Sequence, residues 1–217
     1  MKKYDIIIFD LDGTLVNTIA DLGEAVNHAL SQHGFPLHEA AEYPAMVGAG
    51  VRNLVKNALP ASQRDNASTV ESVLADFTAF YSSHIDVHTR PYPGMTGLLE
   101  RLQADGSMLA VASNKFQSGT ETLVREFFPE RKFIAVCGNR PGMPLKPDAA
   151  LVSSILSEAG EGVSAVMVGD SATDILTAHN GGIPAIAVNW GYRPESDLKD
   201  ADALARSPEE LEELLRG

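Results

Sequence analysis

Apolar and polar positions fall into short blocks along this chain. Five apolar runs, Tyr4–Phe9, Met108–Ala112, Phe133–Cys137, Ala165–Val168 and Ala185–Val188, are bounded by turn-forming or polar residues. Such unalternating runs predict strands buried on both faces. Between them, Thr96–Ala104, Ser118–Phe128, Asp148–Ala159 and Thr173–Asn180 place apolar residues at helical spacing. Strands alternating with helices predict an α/β fold, a parallel sheet covered on both faces. At the C-terminus, Ser207, Pro208 and Glu210 form a capping-box pattern that opens a closing helix.

One interval breaks the alternation. From Val16 to His88 no strand pattern occurs. Thr18 and Asp21 give a cap-like start, after which Ile19, Leu22, Val26, Ala29 and Leu30 recur at helical spacing. Helical stretches follow at Val51–Ala58 and Ser68–Ile85, and the prolines and glycine of Thr89–Met95 end the last of them. The pattern predicts an all-helical domain, residues 16–88, inserted into an α/β core made of residues 1–15 and 89–217.

Composition narrows the class. The chain has 217 residues, of which 44% are hydrophobic and 21% charged, as in ordinary globular proteins. The start, MKKYDIII, lacks the long apolar region of a signal peptide, and no run of ~18 apolar residues suggests a membrane span. The single cysteine, Cys137, rules out an intrachain disulfide and suits a reducing cytoplasm. A net charge of −12 argues against nucleic acid as a partner. An anionic small molecule would need a local positive field on this acidic body.

Four motifs stand at strand ends. In DLDGT, Asp10 and Asp12 follow the first strand, where open α/β sheets bind ligands, and carboxylates so close need a cation or a shared proton. Ser113-Asn114-Lys115 ends the second strand, where a hydroxyl, an amide and helix-start N–H groups could cradle phosphate; Ser113 or Asn114 could equally be a plain helix cap. Lys146 precedes Pro147, which is placed near a first helical position. In GDSATD, Asp170 ends a buried strand and calls for a partner such as an ion, whereas Ser171 and Asp174 have capping-box spacing.

This ordered set, Asp10–Leu15, Ser113–Lys115, Lys146-Pro147 and Gly169–Asp174, resembles the haloacid dehalogenase superfamily of aspartate-nucleophile phosphatases and phosphotransferases. The stretches SNKFQSGTETLV, VGAGVRNLV and VNWGY look most like its phosphoglycolate phosphatase branch. The resemblance implies a three-layer Rossmann-like core with a helical cap, and hydrolysis of a small phosphorylated metabolite. By the same resemblance, Asp10 would be the nucleophile and Asp12 the proton shuttle. Mg2+ would be held by Asp10, Asp170 and the backbone carbonyl of Asp12, with Asp174 in support. Gly13, Thr14, Ser113, Asn114 and Lys146 would bind phosphate, Lys146 also acting in catalysis. Gly48 and Arg52 would face substrate from the cap, Arg52 as a clamp for a carboxylate or, equally, as a plain exposed arginine of the cap. A phosphosugar mutase and a pyrophosphatase remain open alternatives at this stage, and a phosphate-accepting signalling module is an alternative of another class. Oligomeric state is not legible in the sequence.

Overall fold

A computed structural model describes residues 2–216 of the chain. In chain order, β1 (Ile6–Phe9) and β2 (Val16–Asn17) lead to α1 (Ile19–Gln32), α2 (Val51–Ala58) and α3 (Ala67–Ser83), with a 3-10 turn at Ala40–Ala45. After β3 (Arg90–Pro91) come α4 (Met95–Ala104), β4 (Met108–Phe116), α5 (Gln117–Phe127), β5 (Phe133–Asn139) and α6 (Ala150–Ala159). The chain ends with β6 (Ala165–Gly169), α7 (Ala172–Asn180), β7 (Ala185–Val188), β8 (Ala203–Ala205) and α8 (Pro208–Arg216).

Six strands form one sheet in the order β5-β4-β1-β6-β7-β8, every neighbouring pair parallel. The alternation of side chains along β1 explains why its sequence is apolar throughout. Ile7 and Phe9 join one hydrophobic cluster with α4, α5 and α8, whereas Ile6 and Ile8 join another with α6 and α7. The result is a three-layer Rossmann-like core. The chain moves outward from β1 on one side, then crosses to β6 on the other. The carboxyl ends of β4, β1 and β6 therefore flank the switch point where open α/β sheets bind ligands.

The helical insert packs α1 against both α3 and the 3-10 turn, and α2 against α3; its apolar side chains, among them Leu22, Val26, Val70 and Phe77, belong to the first cluster. Its entry and exit are joined by a two-stranded antiparallel ribbon, Val16 opposite Pro91 and Asn17 opposite Arg90, too short to show a strand pattern in sequence. No described helix is long and apolar enough to cross a membrane.

Several local expectations are corrected. β4 continues to Phe116, so Ser113–Lys115 lie in an irregular extension of the strand, with register shifts against β5, rather than at a helix start. Pro147 precedes α6 by three positions and follows a cis peptide bond with Lys146. Thr18 is the N-cap residue of α1 and Asp21 lies in its first turn, as expected, but the Thr18 side chain makes no capping hydrogen bond. Asp21 is buried and accepts hydrogen bonds from the His88 N–H (2.9 Å), the Thr89 N–H (2.9 Å) and the Thr89 hydroxyl (2.7 Å). It pins the chain's return to its departure. At α8, Ser207 Oγ accepts the Glu210 N–H as expected, but the Glu210 carboxylate takes the N–H of Arg206.

Asp21→Ala strands these donors, two of them on fully buried Thr89, and is expected to lower unfolding free energy by about 2 kcal/mol or more. Urea denaturation measures this; an unchanged midpoint would contradict the pinning role.

Candidate active site

Asp10 follows β1 directly, and its backbone N–H donates to Val168 O on β6 at 2.9 Å. Lys146 reaches it from the loop before α6. The Lys146 ammonium donates to Asp10 Oδ1 (2.8 Å), Asp174 Oδ1 (2.7 Å) and the carbonyl of Ala112 (2.8 Å). These three acceptors use all of its donors. Asn114 fixes the lysine's backbone. Its Oδ1 accepts the Lys146 N–H (2.8 Å), and its Nδ2 donates to Lys146 O and to Gly48 O of the insert (3.2 Å each). The Asn114 side chain is thus committed to positioning.

Asp174 serves two purposes. Its Oδ2 accepts the Ser171 N–H (3.1 Å) and hydroxyl (2.6 Å), completing the expected capping box of α7, while Oδ1 meets Lys146. Asp170, just beyond β6, accepts the Tyr192 N–H at Oδ2 (2.6 Å). A Cβ on Gly191 or on Gly13 would overlap the Asp170 side chain, and Gly13 also has φ +90°. Both glycines let backbone close around this carboxylate.

Asp12 is held separately. Its Oδ1 accepts the Thr18 hydroxyl (2.7 Å) and Lys115 Nζ (3.2 Å), and Thr18 also meets the Tyr192 hydroxyl (3.0 Å). Ser113 Oγ accepts the Lys115 N–H at 3.2 Å.

Charge is unbalanced here. One oxygen each of Asp10, Asp170 and Asp174 lies within 4.8 Å of the others, with one ammonium, Lys146, among them. Burial, then the charges of Asp174 and Asp170, push the Asp10 carboxyl well above its ordinary range against the pull of Lys146. Burial and Asp174 push Asp170 up to about 7. Burial alone would lower Lys146, but Asp10 and Asp174 outweigh it and hold it above the usual lysine range. The donor set suits a hard cation: Asp10 Oδ2 and Asp170 Oδ1 accept no hydrogen bond from another described side chain, whereas both Asp174 oxygens are occupied.

A cavity of about 40 Å³ lies between sheet and insert. Asp10, Asp12, Ser113, Asn114, Lys146, Asp170 and Asp174 line it from below, and Val47, Gly48, Val51 and Leu54 from above. Of the expected residues, Gly13, Thr14 and Arg52 are not among its lining. Gly13 instead makes room for Asp170, and Thr14 is buried with its carbonyl anchoring Trp190 Nε1 at 3.2 Å. Arg52 is exposed and pairs with Glu71 of α3 at 2.6 Å, because α2 turns Leu54, Val55 and Ala58 inward. Lys115, Tyr192 and Arg193 are among the lining residues that the sequence did not mark as part of the site. Lys115 lies within β4 and meets Asp12, and Tyr192 meets Asp170 and Thr18. Arg193, from the loop after β7, donates to the insert carbonyls of Ala45 (3.3 Å) and Val47 (2.5 Å).

A parallel sheet with clustered carboxylates and a lysine at its strand ends defines a hydrolase of the haloacid dehalogenase type. The haloacid dehalogenase-like hydrolase family model matches residues 7–188, and the chain belongs to that family. Within it, the chain is an enzyme of the phosphatase type with phosphoglycolate phosphatase-like relatives. It is 34% identical to a phosphoglycolate phosphatase of Mesorhizobium japonicum, covering 97% of this chain and 96% of that one. To the phosphoglycolate phosphatase of Agrobacterium fabrum it is 33% identical, covering 96% and 93%. Among solved structures, a candidate phosphoglycolate phosphatase of Lactobacillus delbrueckii subsp. bulgaricus superposes with a TM-score of 0.91 at 32% identity, covering all of both chains.

Gly191→Ala is expected to displace Asp170 and lower the hydrolytic rate ~10²-fold, since misplacement by an ångström costs about that much. Far-UV circular dichroism should show the sheet retained. Unimpaired turnover would contradict the close approach.

Proposed function

We propose that this protein is a Mg2+-dependent phosphatase that hydrolyses a small phosphomonoester through an aspartyl-phosphate on Asp10. The observation that carries this reading is the pairing of roles in one cavity. Asp10 has one oxygen held by Lys146 and the other unengaged, and Asp12 lines the same space. Its relatives' names make 2-phosphoglycolate the first candidate substrate, and the small cavity suits a small ligand.

Asp10 and Asp170, through carboxylates, and Asp12, through its backbone carbonyl, would hold Mg2+, which when bound supplies positive charge to phosphoryl oxygens. The excess of carboxylates over ammonium groups supports this fit. The Asp10 carboxylate attacks phosphorus through one oxygen and the bond to the leaving oxygen breaks. Asp12 gives that oxygen a proton, then takes one from the water that attacks the phosphoryl group and frees Asp10. Lys146 keeps Asp10 oriented and offsets phosphoryl charge. The hydroxyl of Ser113, whose oxygen already accepts from Lys115 N–H, donates to a phosphoryl oxygen. Asn114 acts through Lys146 rather than on phosphate directly.

The insert, residues 16–88, acts as a cap. Val47, Val51 and Leu54 give the cavity an apolar roof that excludes water during transfer. Gly48 brings backbone to the site, with Asn114 Nδ2 on its carbonyl. The partner is a small phosphorylated metabolite, met in a reducing cytoplasm.

Asp10→Asn is expected to lower Mg2+-dependent phosphate release at least ~10³-fold. The fold should survive, because Lys146 keeps Asp174 and the Ala112 carbonyl. Phosphate release across 2-phosphoglycolate, sugar phosphates, nucleotides and pyrophosphate, with Mg2+ and with chelator, checks substrate and metal together. Full turnover by a folded variant free of deamidation would overturn the nucleophile.

A further inference from the structure

Lys115 carries a charge that the reaction at Asp10 does not use. It is only 4% exposed, although two other polar residues precede it at the end of β4. Its ammonium contacts Asp12 at Oδ1 (3.2 Å) and Oδ2 (3.4 Å). It also donates to the hydroxyl of Tyr81 at 2.6 Å and lies 4.6 Å from that ring's centroid. Burying an ammonium costs several kcal/mol unless its partners compensate. Here the partners are one carboxylate of the core and one phenol of the insert.

Tyr81 belongs to α3 and is fully buried. Its ring stacks on Phe77, with centroids 5.3 Å apart, and meets Phe116 edge-on at 6.1 Å. The phenol is therefore fixed by the insert on one side and by the end of β4 on the other. The two buried lysines divide the site between them. Lys146 has all its donors on Asp10, Asp174 and Ala112 O, and Lys115 serves Asp12. At Asp12, Oδ1 takes the Thr18 hydroxyl and the shorter Lys115 contact, leaving Oδ2 with the longer contact alone.

We propose that Lys115, held by the Tyr81 hydroxyl of the insert, is a positioning residue that turns Asp12 Oδ2 toward the leaving oxygen. This rests on the assignment of Asp12 as proton shuttle. The insert then does more than cover the site: through Tyr81 it completes the alignment of the acid. The proton travels from Asp12 Oδ2 to the leaving oxygen as the phosphorus–oxygen bond breaks. It is replaced when Asp12 takes one from the attacking water. Lys115 keeps its protons throughout.

The test is leaving-group dependence. An alkyl oxygen needs a proton to depart, whereas p-nitrophenolate leaves without one. kcat/KM reports the steps up to the first departure. Wild type, Lys115→Met and Tyr81→Phe are compared with Mg2+ on p-nitrophenyl phosphate and on 2-phosphoglycolate, or on whichever alkyl phosphomonoester the wild type turns over best. Lys115→Met is expected to lower kcat/KM for the alkyl ester at least ~10-fold more than for the aryl ester, within the range that general acid catalysis supplies. Tyr81→Phe keeps the ring and its stacking, so it tests the hydroxyl even if the lysine variant folds poorly. It should shift the same ratio ~3-fold or more, with inhibition by inorganic phosphate unchanged in both variants. Equal losses on the two esters, or no loss, would overturn the positioning role while leaving the phosphatase reading intact. A wild type inactive on every phosphomonoester would overturn both.

Discussion

The ammonium of Lys146, buried among Asp10, Asp174 and the carbonyl of Ala112, is the interaction on which the rest of the site depends. It joins the end of β1 and the middle of β4 to the start of α7, from a loop that none of them adjoins in sequence. Buried ion pairs contribute little net stability compared with apolar packing, and losing one partner costs about 3–5 kcal/mol because a charge is left alone. The hydrophobic layers on either side of β1 supply the stability that tolerates such a cluster. Its value lies in orientation: one Asp10 oxygen is held in place and the other is left unengaged, as the proposed role of this carboxylate requires.

Around this centre, short loops connect core to insert. Asn114 grips the Lys146 backbone and the Gly48 carbonyl with one side chain. Arg193 binds the carbonyls of Ala45 and Val47 on the same insert loop. The segment carrying Arg193 also places Tyr192 against Asp170 and Thr18, and Trp190 against Thr14. A single loop after β7 thus touches the residues flanking both aspartate motifs and the roof of the cavity. The insert loop and the carboxylates of Asp170 and, by way of Thr18, Asp12 are held through hydrogen bonds of the same segment.

Much of this was legible in the sequence where local pattern and tertiary role coincide. Asp10 and Asp170 stand at the ends of unbroken apolar runs, and a carboxylate there needs a partner wherever the strand lies. Ser171 and Asp174 kept their capping geometry because it is local. What escaped depends on packing between distant segments. Thr18 and Asp21 do mark the start of α1, yet their side chains go to distant partners, Asp12 for one and Thr89 for the other. Ser113-Asn114-Lys115 reads as polar punctuation, but β4 runs through it, so Lys115 is buried rather than solvated. The direction of Arg52 is set by how α2 sits on α3, which one turn of helix does not reveal. β8, Ala203-Leu204-Ala205, has none of the branched residues that mark strands and pairs only through its neighbour β7.

The most direct test of the account is to catch the phosphoryl group on the protein. The enzyme is mixed with Mg2+ and its best phosphomonoester, quenched in acid within a turnover and reduced with borohydride, which converts an acyl phosphate to an alcohol. Peptide mass spectrometry then locates the reduced side chain. The account predicts reduction at Asp10, dependent on substrate and absent from Asp12, Asp170 and Asp174. Turnover with no reduced residue, or with the label on another side chain, would contradict it.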